Sequence, residues 1–208
     1  DAIIIATTTN DSDDAIAALA RRLRVGCYRG SEDDVMGRVL EAARAHKADV
    51  IVELTGDCPL IDPVIVSRVI HHYRRESIPV VSIGLPPPYV SNVLTRTFPI
   101  GMDTQVFSTA ILADAEQRTA DAIDRENVSL FIYRSGLYAC VNVAAYGAER
   151  RPDLRLTLDE PDDLIVLRSI HSALKSEGMN YPLSRIIEFL DERPALALVN
   201  AQVEHRWV

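Results

Sequence analysis

Cysteine, glycine and aromatic residues are all scarce in this chain of 208 residues, which has 3 cysteines, 9 glycines, 1 tryptophan and 6% aromatics. Cys27, Cys58 and Cys140 form neither a CxxC pair nor a Cys/His spacing. That argues against a zinc site and fits unpaired thiols in a reducing cytoplasm, each expected to be a small buried hydrophobe. No G-x-G-x-x-G follows a strand-like run, which argues against a dinucleotide-dependent dehydrogenase. No run of 18 apolar residues occurs, so no membrane-spanning helix is expected. Positive charge is in deficit: the net charge of −8 argues against nucleic acid as the main partner. Any polyanionic ligand has to be met by local basic groups or by a metal ion.

What is present is a hydrophobic content of 48% with 25% charged residues, the balance of one globular domain with its own core. A chain of this length buries about two-thirds of its unfolded surface and needs no staple. Strand-like and helix-like runs alternate along the first half. Residues 3–8 (IIIATT) are a β-branched run, and Asn10 to Asp13 supply caps for a helix carrying Ile16, Leu19, Ala20 and Leu23. A short strand at 25–28 precedes a helix striped by Val35, Val39, Leu40 and Ala43, and residues 50–54 form the next strand. Asp62-Pro63 is an N-cap with proline at the first helical position, and Val66, Val69, Ile70 and Tyr73 point inward behind it. A strand is expected at 79–83. The order predicts a doubly wound, mostly parallel α/β sheet.

The rhythm breaks at Gly84-Leu85-Pro86-Pro87-Pro88-Tyr89, which reads as a loop or flap. Strands are expected at 102–108 and 137–143, with helical stretches at 110–118 and 125–133. A further strand at 154–158 leads to a helix carrying Leu164, Leu167, Ile170, Ala173 and Leu174, and residues 182–206 read as two short helices. The organisation expected is one domain over 1–208, with an inserted substrate or dimerisation region at 85–145 and a helical tail at 180–208.

Ligands of open α/β sheets bind beyond the carboxyl ends of strands, and two acids fall there. Asp57 follows the strand at 50–54, in LTGDCPLIDP, and Asp159 follows the run at 154–158. Two carboxylates at neighbouring strand ends can hold one hard cation and leave positions for water and phosphate oxygens, as Mg²⁺ sites do. Each also has a plain reading. Asp57 is a turn residue, and Asp159 caps the helix opening at Pro161, with Glu160, Asp162 and Asp163 answering its dipole. His71 and His72 point about 100° apart on a helix and cannot share an ion. Arg21, Arg22 and Arg24 lie on a polar helix face.

Five stretches in order carry a family resemblance: IIIATTTN ending at Asn10, RGSEDDVMGRVL from Arg29, LTGDCPLIDP from Leu54, YVSN…RTFPIGMDTQVF from Tyr89, and LRLTLDEPDDL from Leu154. Together they resemble the spore coat polysaccharide biosynthesis protein F family, which is similar to the acylneuraminate and 3-deoxy-manno-octulosonate cytidylyltransferases. The resemblance implies a Rossmann-like, glycosyltransferase-A-like nucleotidyltransferase fold. It implies attack of a sugar hydroxyl on the α-phosphorus of CTP with release of pyrophosphate. It further implies Mg²⁺ on Asp57 and Asp159 as the catalytic and metal residues, and an acidic or amino sugar as the second substrate. A homodimer in the cytoplasm is expected, with no nucleic acid or membrane partner. Such chemistry needs positioning and charge neutralisation rather than a covalent nucleophile.

Candidate substrate contacts are Arg29, Ser31 and Arg38, for the base, the sugar or its acid group, with a solvated helix start as their plain reading. Asn92, Arg96, Asp103 and Gln105 are further candidates, Arg96 as a bidentate reader of carboxylate or phosphate. The chain departs from the family at Gln105, where relatives tend to carry Glu, and at Asn127 and Ser129, where D-R-E-H-V-T has His and Thr. It opens on DAIIIATT without the strand and basic glycine loop that relatives place around the triphosphate, so a missing N-terminal segment is expected. Two other functions compete: a glycosyltransferase that consumes a nucleotide sugar, and a truncated non-catalytic homologue that binds a partner or dimerises through 86–138.

Overall fold

β-branched runs and capped amphipathic segments alternate here as β1 (Ile4–Thr8), α1 (Asp14–Leu23), β2 (Gly26–Gly30), α2 (Val35–Ala45), β3 (Val50–Glu53) and α3 (Pro63–Val81). There follow β4 (Tyr89–Ser91), β5 (Gln105–Ser108), α4 (Thr109–Arg118), α5 (Ala122–Glu126), α6 (Leu130–Arg134) and β6 (Cys140–Asn142). The chain closes with α7 (Pro161–Leu174), α8 (Leu183–Asp191) and α9 (Pro194–Ala197). The computed structural model describes residues 1–178 and 181–203; the last part of the expected 182–206 helical tail lies outside them. The result is a mixed α/β fold with parallel and mixed sheets.

Two compact units divide the chain. The first takes residues 1–51 and 107–139 and holds a parallel pair, β1 on β2, in register from Ile4 opposite Gly26 to Thr8 opposite Gly30. Its helix α1 buries Ala17 and Ala20 but leaves Ile16 and Leu23 exposed, so only part of the expected stripe faces inward. Small side chains let the helix lie close on the strand pair. Arg21, Arg22 and Arg24 are exposed. In α2 the buried residues are Met36, Leu40, Ala42 and Ala43.

The second unit takes residues 52–106 and, of those described, 140–178 and 181–203. It holds β4, which pairs antiparallel to β5 and parallel to β6 in the sheet of order β3-β5-β4-β6. One core cluster joins Ile65, Phe98, Met102, Leu154, Leu156, Val166, Ile170 and Leu174 to Leu183, Ile186, Ile187 and Leu190 of α8. Each such side chain contributes about 1.5–3 kcal/mol by leaving water, which is how the last helices are held. Among the described residues no helix is long and apolar enough to cross a membrane.

Several local expectations are corrected. Residues 79–81 continue α3 instead of starting a strand, although Pro79 lies inside the helix. Pro79 is exposed and stands two residues from the helix end, where one lost backbone bond is tolerable. The stretch at 125–133 is two short helices, broken around Asn127 and Val128, the latter with a φ of 20°. β4, unread in the sequence, lies inside the sheet, beginning at Tyr89 where a loop was expected. β5 starts at Gln105 and β6 at Cys140, both shorter than their apolar runs. The run at 154–158 makes one isolated bridge, Ile100 with Arg155, because its remaining backbone bonds go elsewhere.

Candidate metal and substrate site

Those bonds build the site. Asp62 accepts from the Val64 N–H at 2.7 Å as the N-cap of α3, which anchors the far end of the turn after β3. The turn itself closes through the Cys58 N–H on the Thr55 carbonyl, 3.3 Å, and does not use the Asp57 carboxylate. Among the described residues that carboxylate receives only the Cys58 thiol, 3.5 Å from Oδ1. The Asp57 carbonyl is what the structure uses: it accepts from the Leu158 N–H at 2.8 Å and from Thr157 Oγ1 at 3.2 Å. The backbone of Asp57 is thereby tied to the two residues that precede Asp159.

Gly101 permits the third wall. Ile100 donates to the Leu154 carbonyl at 3.0 Å and accepts from the Leu156 N–H at 2.7 Å. At Gly101, with φ of +97°, a Cβ would sit 2.6 Å from the Leu156 carbonyl, so only glycine lets the two backbones meet. Two residues on, Asp103 lies close enough for its charge to raise the Cys58 thiol, which burial in the first place, and the charge of Asp57, also push up, to about 12. Cys58 therefore stays protonated at neutral pH and acts as a donor, not a nucleophile.

Asp159 does not cap α7. The N-cap is Glu160, and it is Asp163 that reaches back, accepting from the N–H groups of Asp159 at 2.9 Å and Glu160 at 3.0 Å. Asp163 also takes Arg155 Nε at 2.8 Å and Nη2 at 3.0 Å, and the Asn200 amide at 2.8 Å. Burial opposes its ionisation, yet Arg155, the two N–H groups and Asn200 together hold its pKa at about 2. The same Nη2 of Arg155 also donates to Asp159 Oδ2, 2.5 Å away. Asp159 is nonetheless 44% exposed in its side chain, which leaves room for an ion. Sequence reasoning missed Arg155 and Asn200; the only trace was a basic residue inside an otherwise apolar run.

The other candidates in this unit are engaged internally. Asn92 is buried, donating to the Met102 carbonyl at 2.6 Å and accepting from the Thr104 N–H at 2.8 Å. Arg96 reads a carboxylate bidentately, as its geometry suits, but the carboxylate is Asp103, at 2.7 and 2.9 Å. Gln105 accepts the Tyr89 hydroxyl.

In the first unit Arg29 spans the loop after β1, reaching the Thr8 carbonyl at 2.7 Å, the Asn10 carbonyl at 2.8 Å and Asp14 at 2.6 Å. Arg38 donates from Nη1 to the Ser31 carbonyl, while its buried Nε has no partner among the described residues. Ser31 is exposed and accepts the Asp34 N–H at 3.1 Å. Arg125 of the D-R-E-N-V-S stretch ties Asp34 at 2.7 Å to Glu116 at 3.0 Å, and Asn127 donates to the Ile123 carbonyl at 2.8 Å. Of the three cysteines, all free, Cys58 is buried and Cys27 half-buried, whereas Cys140 is exposed and departs from the expectation.

Among the described residues no group of three or more His, Cys, Asp or Glu side chains could hold a metal. Two carboxylates on backbone segments tied to each other, each with an oxygen that takes no hydrogen bond among the described residues, are a donor set of the kind Mg²⁺ uses, since it keeps its waters and takes one or two carboxylates plus substrate phosphates. A structural zinc or an all-protein calcium cage would need more ligands than Asp57 and Asp159 supply.

Known proteins match this architecture. The sequence model of the family described as cytidylyltransferase matches residues 1–200. An uncharacterized protein of Methanocaldococcus jannaschii is 28% identical over 207 residues, covering 99% of this chain and 79% of that protein. Spore coat polysaccharide biosynthesis protein SpsF of Bacillus subtilis is 27% identical over 199 residues, covering 95% and 78%. A solved structure of a cytidylyltransferase from Leptospira borgpetersenii serovar Hardjo-bovis superposes with a TM-score of 0.84 at 24% identity, over 99% of this chain and 80% of that one.

Proposed function

This chain belongs to the cytidylyltransferase family, and we propose that it activates a sugar for surface polysaccharide synthesis by Mg²⁺-dependent reaction with CTP. The coarse activity, nucleotidyl transfer, follows from the family. In the finer reading a hydroxyl of an acidic or amino sugar attacks the α-phosphorus of CTP; the new P–O bond forms as the bond to the bridging oxygen breaks, and pyrophosphate leaves. Spore coat polysaccharide biosynthesis, named for the Bacillus subtilis relative, supports the sugar as acceptor.

The observation that supports this reading is the pair of hydrogen bonds from Thr157 and Leu158 to the Asp57 carbonyl, which tie the backbone just before Asp159 to that of Asp57. Asp57 and Asp159 would hold the Mg²⁺, whose contribution is to neutralise charge on the phosphates and orient them. The chain's own tasks are geometric. Asp57 has a protonated thiol beside it, which supplies a weak donor without adding charge. Arg29, Ser31 and Arg38 remain in the proposed substrate set, with Arg38 donating to the Ser31 carbonyl and Arg29 holding the loop after β1. Asn92, Arg96, Asp103 and Gln105 remain in the proposed substrate set, with Arg96 and Asp103 acting as a rigid ion pair at its wall. Free thiols throughout support a reducing cytoplasm, and a homodimer is part of the reading, with the exposed Leu85 and Leu137 as apolar groups that an interface would cover.

The test is pyrophosphate release from CTP with candidate acidic and amino sugars in the presence of Mg²⁺, using the chain as its gene encodes it. Asp57→Asn and Asp159→Asn are each expected to lower the rate by about a hundredfold or more, since losing a bound metal's charge stabilisation costs several kcal/mol. An unchanged rate in either variant removes that residue from the site. Absence of pyrophosphate with every sugar tried, alongside transfer from a nucleotide sugar, would replace the whole reading.

A further inference from the structure

Buried behind Asp159 is a cation that nothing in nucleotidyl transfer by itself demands. The Arg155 guanidinium is 4% exposed in its side chain, and Asp163 beneath it is fully buried. Asp163 fixes the guanidinium with two bonds and at the same time holds the N–H groups of Asp159 and Glu160. Asn200, itself buried, closes the assembly by donating both to Asp163 at 2.8 Å and to the Arg155 carbonyl at 3.1 Å. The Nη2 of Arg155 that bonds Asp163 also donates to Asp159 Oδ2. Among the described residues Asp159 Oδ1 takes no hydrogen bond.

We propose that Arg155, locked in place by Asp163 and Asn200, is a positioning residue that presents Asp159 to the cation through a single oxygen. The inference rests on the reading of Asp57 and Asp159 as the metal pair and adds to it a basis for choosing the ion. With Oδ2 held by the guanidinium, Asp159 is a one-oxygen ligand. That suits the octahedral shell of Mg²⁺ or Mn²⁺ and disfavours Ca²⁺, which takes up carboxylates with both oxygens and accepts six to eight ligands. The clamp acts through orientation as well: an outer partner that fixes a ligand's geometry is typically worth 10- to 100-fold in metal affinity.

Direct titration with Mn²⁺, followed by electron paramagnetic resonance or calorimetry in the presence of a non-hydrolysable CTP analogue, tests this without turnover. Competition with Ca²⁺ is read in the same samples. Asn200→Ala, which touches neither carboxylate of the pair, and Arg155→Lys, which keeps the charge but loses the fork, are expected to weaken Mn²⁺ about 10-fold and to narrow the preference over Ca²⁺. Arg155→Lys is expected to be no better than Asn200→Ala, because a single ammonium cannot span Asp159 and Asp163 together. If Arg155→Lys fails to fold, Asn200→Ala decides. Wild-type Mn²⁺ affinity and selectivity in a folded Asn200→Ala, whatever its melting temperature, would mean a purely structural network and overturn the proposal. Failure of the parent chain to bind Mn²⁺, with Asp57→Asn indistinguishable from it, would instead remove the metal reading and the positioning role with it.

Discussion

At the residue scale, Asp13 shows how much a single carboxylate can organise. Its Oδ2 accepts from Thr7 Oγ1 at 2.6 Å, Thr8 Oγ1 at 2.7 Å and the Thr8 N–H at 2.9 Å, tying the loop after β1 to the strand end. The Thr7 hydroxyl above all, then the Thr8 hydroxyl and N–H, hold its pKa at about 2, below the ordinary 3.8. A folded pKa below the unfolded one gives stabilisation that is complete above about pH 4 and is lost as pH falls through 2. Asp13→Asn is therefore expected to be less stable than the parent at pH 6–7, with the difference shrinking between pH 4 and 2; urea midpoints across that range measure it, and a constant difference would contradict the linkage. The same scale explains which of the proposed site residues were legible. Asp57 and Asp159 stand at the ends of apolar runs, a local signal. That Arg96 faces Asp103 and that Asn92 bridges Met102 and Thr104 is decided by backbone paths no single residue type reveals.

At the scale of elements, starts were more readable than ends. α3 begins where Asp62-Pro63 predicts, because a cap and a fixed φ act within three residues. Its end was misread, since a proline followed by Val80 and Val81 looks like a strand but lies in the last turn of a helix. The extended run at 154–158 shares its backbone bonds between Ile100 and Asp57, too few with either to make a ladder. Gly101 is the hinge of that arrangement. Gly101→Ala is expected to destabilise the fold by roughly 1–3 kcal/mol for the positive φ alone, with an additional contribution from the contact at Leu156. Chemical denaturation at unchanged m-value reads it, and a loss below about 0.5 kcal/mol would show that the 99–102 turn yields easily.

For the whole molecule, charge is the property that bears on function. A chain of net charge −8 repels a polyanionic nucleotide at long range, and salt screens that repulsion over a Debye length of about 10 Å at 0.1 M. The KM for CTP at fixed free Mg²⁺ is expected to fall as KCl rises from about 10 to 100 mM. A KM that rises instead would place a locally positive field around the nucleotide, strong enough to outweigh the rest of the surface. Arg29 and Arg38 are the groups that would make it, and Arg29 is already committed to Thr8, Asn10 and Asp14.

The amino-acid sequence by itself determined the alternation of strands and helices, the cap that opens α3, the lack of a paired-cysteine framework and the two acids at the ends of apolar runs. These are set by periodicity and by groups a few residues apart, so they are written locally. The tertiary structure alone decided that Leu158 and Thr157 meet the carbonyl of Asp57, a hundred residues away, and that Asn200 closes the network behind Asp159. It also decided that β4 lies between β5 and β6. Contacts of that span depend on backbone direction and on which buried donor finds which acceptor, and neither leaves a period or a motif in the chain.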